Sequence, residues 1–177
     1  MKKAILFLLA LSCLIVSCNS DKKEANAESK GATMSSSTIS KQDRNKKVIR
    51  ETMDNFAKRD FDACFKDVSP GYIDYADGSM PPITSVDTLK KFFQMITNSI
   101  ENYKANDLQY YTDGDYVLVV GEWTGTFKQD LAGIKATGKP VKFKDLDMFK
   151  LNDDGKIIEH TSVQNLAAIL ISSGMIK

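Results

Sequence analysis

Two aspartates and one histidine are the side chains in this sequence whose types and spacing could move a proton. Asp145 and Asp147 lie in Val141-Lys-Phe-Lys-Asp-Leu-Asp-Met-Phe-Lys-Leu151. Every second residue gives one set, Val141, Phe143, Asp145, Asp147, Phe149 and Leu151, and leaves the lysines with Leu146 and Met148. A strand sends alternate side chains to opposite faces, so both carboxylates fall on the apolar face. The histidine, His160, sits on the next strand-like segment, Lys156 to Val163. A four-residue turn through Asn152-Asp-Asp-Gly155 pairs Leu151 with Lys156, Phe149 with Ile158, Asp147 with His160 and Asp145 with Ser162. Directly opposed residues have Cβ atoms ~4.5–5.5 Å apart. The spacing therefore predicts an Asp147–His160 hydrogen bond on the inner face. Asp145 is expected near the rim, solvated or bonded to Ser162 or Trp123.

A carboxylate among apolar side chains loses hydration, and its pKa rises unless a cation or donor compensates. A histidine paired with it gains positive character. Three roles fit such a couple. It can transfer a proton near neutral pH. His160 can orient Asp147 to hydrogen-bond a ligand. Or the histidine simply satisfies a buried carboxylate. Other chemistries find less support. One histidine and no cysteine cluster argue against a metal site. Ser162 and His160, two apart on one strand, are badly placed for a nucleophilic triad. No Gly-rich phosphate loop is present, and no cofactor is expected.

The elements that must position these residues follow from hydrophobic period. Val48, Ile49, Met53, Phe56 and Ala57 recur at helical spacing, which predicts a helix over about 44–58. Asp60 caps a short helix carrying Phe61, Cys64 and Phe65, which Pro70-Gly71 ends. Cys64 reads as a small core residue. Tyr72 to Tyr75 is a short strand, and Ser85 caps a helix with Leu89, Phe92, Phe93, Ile96 and Ile100 on one stripe. The period then changes to two over Tyr103–Tyr111, Tyr116–Phe127, Val141–Leu151 and Lys156–Val163. Leu166, Ile169 and Leu170 mark a last short helix. Helices followed by an antiparallel meander indicate an α+β fold, its sheet wrapped around the helices. On Tyr116–Phe127, Trp123 shares a face with Gly121 and Gly125, which leave room beside it. Trp123, Tyr72, Tyr110 and Phe92 are the candidate ligand contacts of a pocket, with Asp145 and Ser162 beside them.

The N-terminus carries different information. Lys2 and Lys3 precede an apolar run, Ala4 to Val16. It is too short for a span, which takes ~20 residues, and suits a signal-peptide core. The run ends Leu14-Ile-Val-Ser-Cys18, which resembles the lipobox of bacterial lipoproteins. That resemblance implies cleavage before Cys18, acylation of Cys18, and a lipid anchor in the cell envelope, expected in the outer membrane of a Gram-negative cell. Residues 1–17 are then the signal, 18–43 a lipidated cysteine and a polar tether too poor in large apolar residues to fold, and 44–177 the domain. With Cys13 removed and Cys18 acylated, Cys64 has no disulfide partner. A net charge of +1 gives nucleic-acid binding no support.

The second half resembles the SnoaL-like, polyketide and ester cyclase branch of the NTF2-like superfamily. The matching text is Gly114-Asp-Tyr-Val117, Trp123-Thr-Gly-Thr-Phe127, Gly133 to Val141, Asp147-Met-Phe-Lys150 and Asp154-Gly-Lys-Ile-Ile-Glu-His160. The resemblance implies a conical fold, a curved sheet around helices with a pocket at its open end, and a homodimer as the common assembly. Its members include cyclases, dehydratases and isomerase relatives. This chain has Phe127 where cyclase-like members often have histidine, and Ser162 and Asn165 where they often have acidic residues. Neither replacement can act as a carboxylate acid or base. The expectation is therefore a membrane-tethered domain holding a small, partly apolar ligand, with an Asp147–His160 proton-transfer enzyme as the alternative.

Overall fold

Asn45, Ile49, Thr52, Met53 and Phe56 recur on one helical stripe, and this stripe sets how the first helix lies on the sheet. The computed structural model of the chain describes residues 36–131, 135–165, 169–171 and 173–174, all in one compact unit. The targeting run, Cys18, residues up to 35, and Leu166 lie outside the described residues. None of the described helices is long and apolar enough to cross a membrane.

Helix α1 spans Ser36–Ala57, so it starts before the expected boundary at 44. The reason lies far along the chain. Lys41 pairs with Asp115 and Asp153, each at 2.6 Å, and Arg44 donates to the Asp153 carbonyl at 2.6 Å. These contacts supply what the local sequence lacks. Helix α2, Phe61–Cys64, is capped by Asp60, whose side chain accepts from the Ala63 N–H. Strand β1, Val68–Asp74, runs through Pro70-Gly71 instead of starting after them, with Gly71 at φ 85°. Helix α3, Val86–Ser99, starts at the expected Ser85 cap and leads directly into β2, Ile100–Asp113. Strands β3 (Tyr116–Phe127), β4 (Pro140–Leu151) and β5 (Ile157–Gln164) lie where alternation placed them. Residues 169–171 form a helical turn.

The five strands form one open sheet in the order β1-β5-β4-β3-β2. β2 to β5 are antiparallel neighbours, and β1 joins parallel to β5. Two bulges bend β2 against β3, with Asn102 and Asp107 at φ 54° and 53°. Gly125 and Gly121 sit opposite these bulges. A Cβ on Gly125 would lie 3.2 Å from the Glu101 carbonyl, and one on Gly121 3.3 Å from that of Asn106. The glycines thus let the two backbones close up where the sheet curves. The inner face of β3 and β4 packs Val117, Val119, Trp123, Phe143, Phe149 and Leu151 against Ile49, Met53 and Leu89. This is the expected α+β fold, a curved sheet around N-terminal helices.

Candidate functional site

The site begins at the β4–β5 hairpin, and its register differs from the expected one. The Asn152 N–H donates to the Lys156 carbonyl, leaving a loop of residues 153–155 with Gly155 at φ 77°. Asn152 Oδ1 accepts from the N–H groups of Asp154 and Lys156 and holds that loop. Leu151 therefore faces Ile157, and the register shifts again before Lys150 meets Glu159. Phe149 faces His160, Asp147 faces Ser162, and Asp145 faces Gln164. From Phe149 onward the displacement from the expected pairs is two residues, which keeps Asp145, Asp147, His160 and Ser162 on their face; Leu151 is displaced by one, and Ile157 instead of Ile158 joins the core. Asp147 and His160 become diagonal neighbours, and His160 Nε2 still lies 3.2 Å from Asp147 Oδ1.

The other imidazole nitrogen has a partner that local periodicity could not reveal. The parallel pairing of β1 with β5 puts Asp74 beside His160, and His160 Nδ1 lies 3.0 Å from Asp74 Oδ2. Tyr72 Oη donates to the same oxygen at 2.9 Å, and the Ala76 N–H donates to Asp74 Oδ1 at 2.8 Å. A reciprocal backbone pair between Asp74 and Ile83 pins the end of β1. His160 is thus clamped between two buried carboxylates. Burial opposes its positive charge, but the hydrogen bonds and charges of Asp147 and Asp74 prevail and raise the imidazole to about 10. For Asp74, burial likewise opposes ionisation, and the contacts with His160 overcome it and hold the carboxyl below its usual value. The imidazolium form, with both ring nitrogens donating, follows from these two acceptors.

Asp145 is not at the rim. It is 5% exposed and accepts from Gln164 Nε2 at 3.1 Å, while its Oδ1 has no hydrogen-bond partner. Burial, then the neighbouring charge of Asp147, push its carboxyl up to about 7. Neither Ser162 nor Trp123 bonds it, and Trp123 Nε1 is also buried without an acceptor.

These groups form the polar end of a cavity of about 330 Å³. Its walls are apolar and largely aromatic. Trp123 stacks on Tyr103 at 4.8 Å and meets Phe56 edge-on at 5.6 Å, and Phe93 meets Phe56 edge-on at 5.2 Å. Of the residues expected at a pocket, Asp147, His160, Asp145, Ser162, Trp123, Tyr72 and Phe92 all line it. Tyr72 is buried, with its hydroxyl committed to Asp74. Tyr110 lies outside the lining, and its ring stacks under the Arg50 guanidinium at 4.1 Å. Cys64 is buried, and burial pushes its thiol up to about 12, which leaves it a poor nucleophile. Among the described residues, no group of three or more His, Cys, Asp and Glu is arranged to hold a metal ion.

The fold has relatives. A sequence profile described as SnoaL-like polyketide cyclase matches residues 47–171. The chain belongs to the SnoaL-like polyketide cyclase family. A SnoaL-like polyketide cyclase of Jannaschia sp. CCS1, so described in its structure, is similar at 18% identity and TM-score 0.69, over 77% of this chain and 96% of that one. AclR, described as a hydroxylase from Streptomyces galilaeus, is similar at 20% identity and TM-score 0.66, over 77% and 99%. IdmH from Streptomyces antibioticus, described as a polyketide cyclase, is similar at 21% identity and TM-score 0.62, over 73% and 98%. At these identities the likeness shows the shared fold. No curated protein sequence matches the chain.

Within this SnoaL-like domain the departures noted in the sequence have definite places. Phe127 packs with Ile100 and Val141 in a second apolar cluster, away from the cavity lining. Ser162 does line the cavity, beside Asp147. The buried carboxylates open to a ligand here are those of β4, with Asp74 behind the histidine and the exposed Asp77 on the loop after β1.

Proposed function

We propose that this SnoaL-like domain binds a small, mostly apolar molecule in its cavity, with the molecule's polar group against Asp145, Asp147 and Ser162. The observation that carries the reading is the combination of aromatic walls with a buried polar end that includes an unpartnered carboxylate oxygen. Ligand pockets join a large apolar lining to a few convergent polar groups in this way. Lipid on Cys18 would tether the domain to the membrane, in the outer membrane of a Gram-negative cell, with the polar stretch after it as spacer. Acyl chains at ~0.8 kcal/mol per buried CH₂ make such an anchor strong when more than one is attached. A homodimer is the assembly we expect, by analogy with the family.

A second reading is favoured by a specific observation. Asp145, raised to about 7, exchanges its proton near neutral pH, and the Asp147–His160 couple lies on the same wall. Such a pairing suits general acid–base work in a cyclase, isomerase or dehydratase type of reaction.

Trp123 is the sole tryptophan and lines the cavity, so its emission reports occupancy. Binding of a cavity ligand is expected to change that emission saturably. Asp147→Asn should abolish binding or turnover, and because it also removes a charged acceptor of the buried His160 ring it should cost ~1.5–3 kcal/mol of stability as well. Loss of stability by ~1–3 kcal/mol, with binding intact, would make Asp147 a structural anchor instead.

A further inference from the structure

The charge inside the cavity is unbalanced. Among the described residues that line it, Asp74, Asp77, Asp145 and Asp147 are acidic, and there is no lysine or arginine. The one basic side chain, His160, is already engaged on both nitrogens by Asp74 and Asp147. Asp145 is left over. It is 5% exposed, meets only neutral donors in the Gln164 amide and the Leu146 backbone N–H, and keeps Oδ1 without a hydrogen-bond partner. A buried carboxylate in this position needs a compensating positive charge or a proton. The ligand-free protein supplies the proton. Asp77, exposed on the loop after β1, adds negative charge to the lining. An anionic ligand would meet these carboxylates with no partner for its own charge.

We propose that the ligand of this cavity carries a protonated amine, which seats against Asp145 while the apolar body lies among Phe56, Phe93, Tyr103 and Trp123. The proposal rests on the cavity-binding reading above and names the chemical class of its ligand. On binding, the ammonium takes the place of the proton on Asp145, and that proton leaves to solvent. The titratable and hydrogen-bonding groups around Asp145 are Asp147 and the Leu146 N–H on its own strand, His160 and Gln164 on β5, and Tyr103 on β2. His160 keeps its charge throughout, held by its two carboxylates.

The test compares three probes of one shape, phenethylamine, phenethyl alcohol and phenylacetate, titrated into the full chain by calorimetry and by Trp123 emission. The amine should bind about tenfold or more tighter than the alcohol, the effect of one charge-assisted hydrogen bond, and phenylacetate should bind weakest. In Asp145→Asn the amine should lose that advantage over the alcohol. In the unaltered protein near neutral pH, the amine's heat should depend on the buffer's ionisation enthalpy, as proton release requires. That readout needs no variant to fold. If the alcohol or phenylacetate binds as tightly as the amine, the amine class is overturned and the cavity-binding reading stands. If none of the three binds, both fall. An amine preference that survives Asp145→Asn, or a heat independent of buffer, overturns the seat at Asp145.

Discussion

At the residue scale the account rests on how two carboxylates of one strand differ. Asp145 and Asp147 share a face, yet Asp147 contacts an imidazolium and Asp145 contacts a neutral amide. This difference has a pH signature. Asp145 and His160 both hold a proton more tightly folded than unfolded, so the folded state binds more protons and stability falls as pH rises through their windows. Asp145's contribution is complete below its unfolded value of ~3.9 and is lost as pH rises to about 7. His160's contribution is complete below its unfolded value of ~6.5 and is lost as pH rises toward about 10. Asp74 has the opposite sign. Its pairing stabilises above ~3.9 and is lost as pH falls through its lower folded value. Denaturant midpoints should therefore decline from about pH 5 to about pH 9. Asp145→Asn should flatten the part of that decline below about pH 7, and an unchanged profile would contradict the assignment. Asp74→Asn tests the clamp from its other side. It removes one charged acceptor of a buried imidazolium and should cost ~1.5–3 kcal/mol, read by urea unfolding.

At the element scale, curvature is what turns a sheet into a cavity wall. Gly125 and Gly121 allow β2 to bulge inward against β3. Gly125→Val would press a branched side chain on the Glu101 carbonyl and Ile100, and should cost ~1–3 kcal/mol, with a lower thermal midpoint. A midpoint equal to that of the unaltered protein would remove the glycine from this role. The same scale shows why some of the site was legible in the sequence and some was not. Alternation placed β3, β4 and β5 and put Asp145, Asp147 and His160 on one face, because a period of two is local information. The register came out two residues away, since the loop is held by Asn152 and Gly155 and a shift follows near Ile158. Face survived that slip, and so the Asp147–His160 contact did too. Asp74 was not singled out, because a parallel pairing between strands separated by most of the domain leaves no local periodic trace. The start of α1 was missed for a related reason, as Lys41 and Arg44 find their partners across the chain at Asp115 and Asp153.

At the scale of the whole molecule, the SnoaL-like domain combines the family fold with an acidic cavity end. The fold brings β1, β4 and β5 to one wall, and the residues there leave one carboxylate free of ionic partners. Membrane tethering would place that cavity at the cell envelope, where apolar molecules partition. Cys18→Ala should move the protein from the membrane fraction to the soluble fraction, with labelled palmitate no longer incorporated. Retention in the membrane with palmitate still incorporated would contradict the anchor. The claim at the centre of the account is that the cavity is a binding site. Native mass spectrometry of the full protein, isolated under gentle conditions from its own cells, tests it most directly. The account predicts a bound form carrying one small organic molecule per chain, released on denaturation and lost in Asp147→Asn. A spectrum holding only the bare protein mass, unchanged when small apolar amines and alcohols are added, would contradict it.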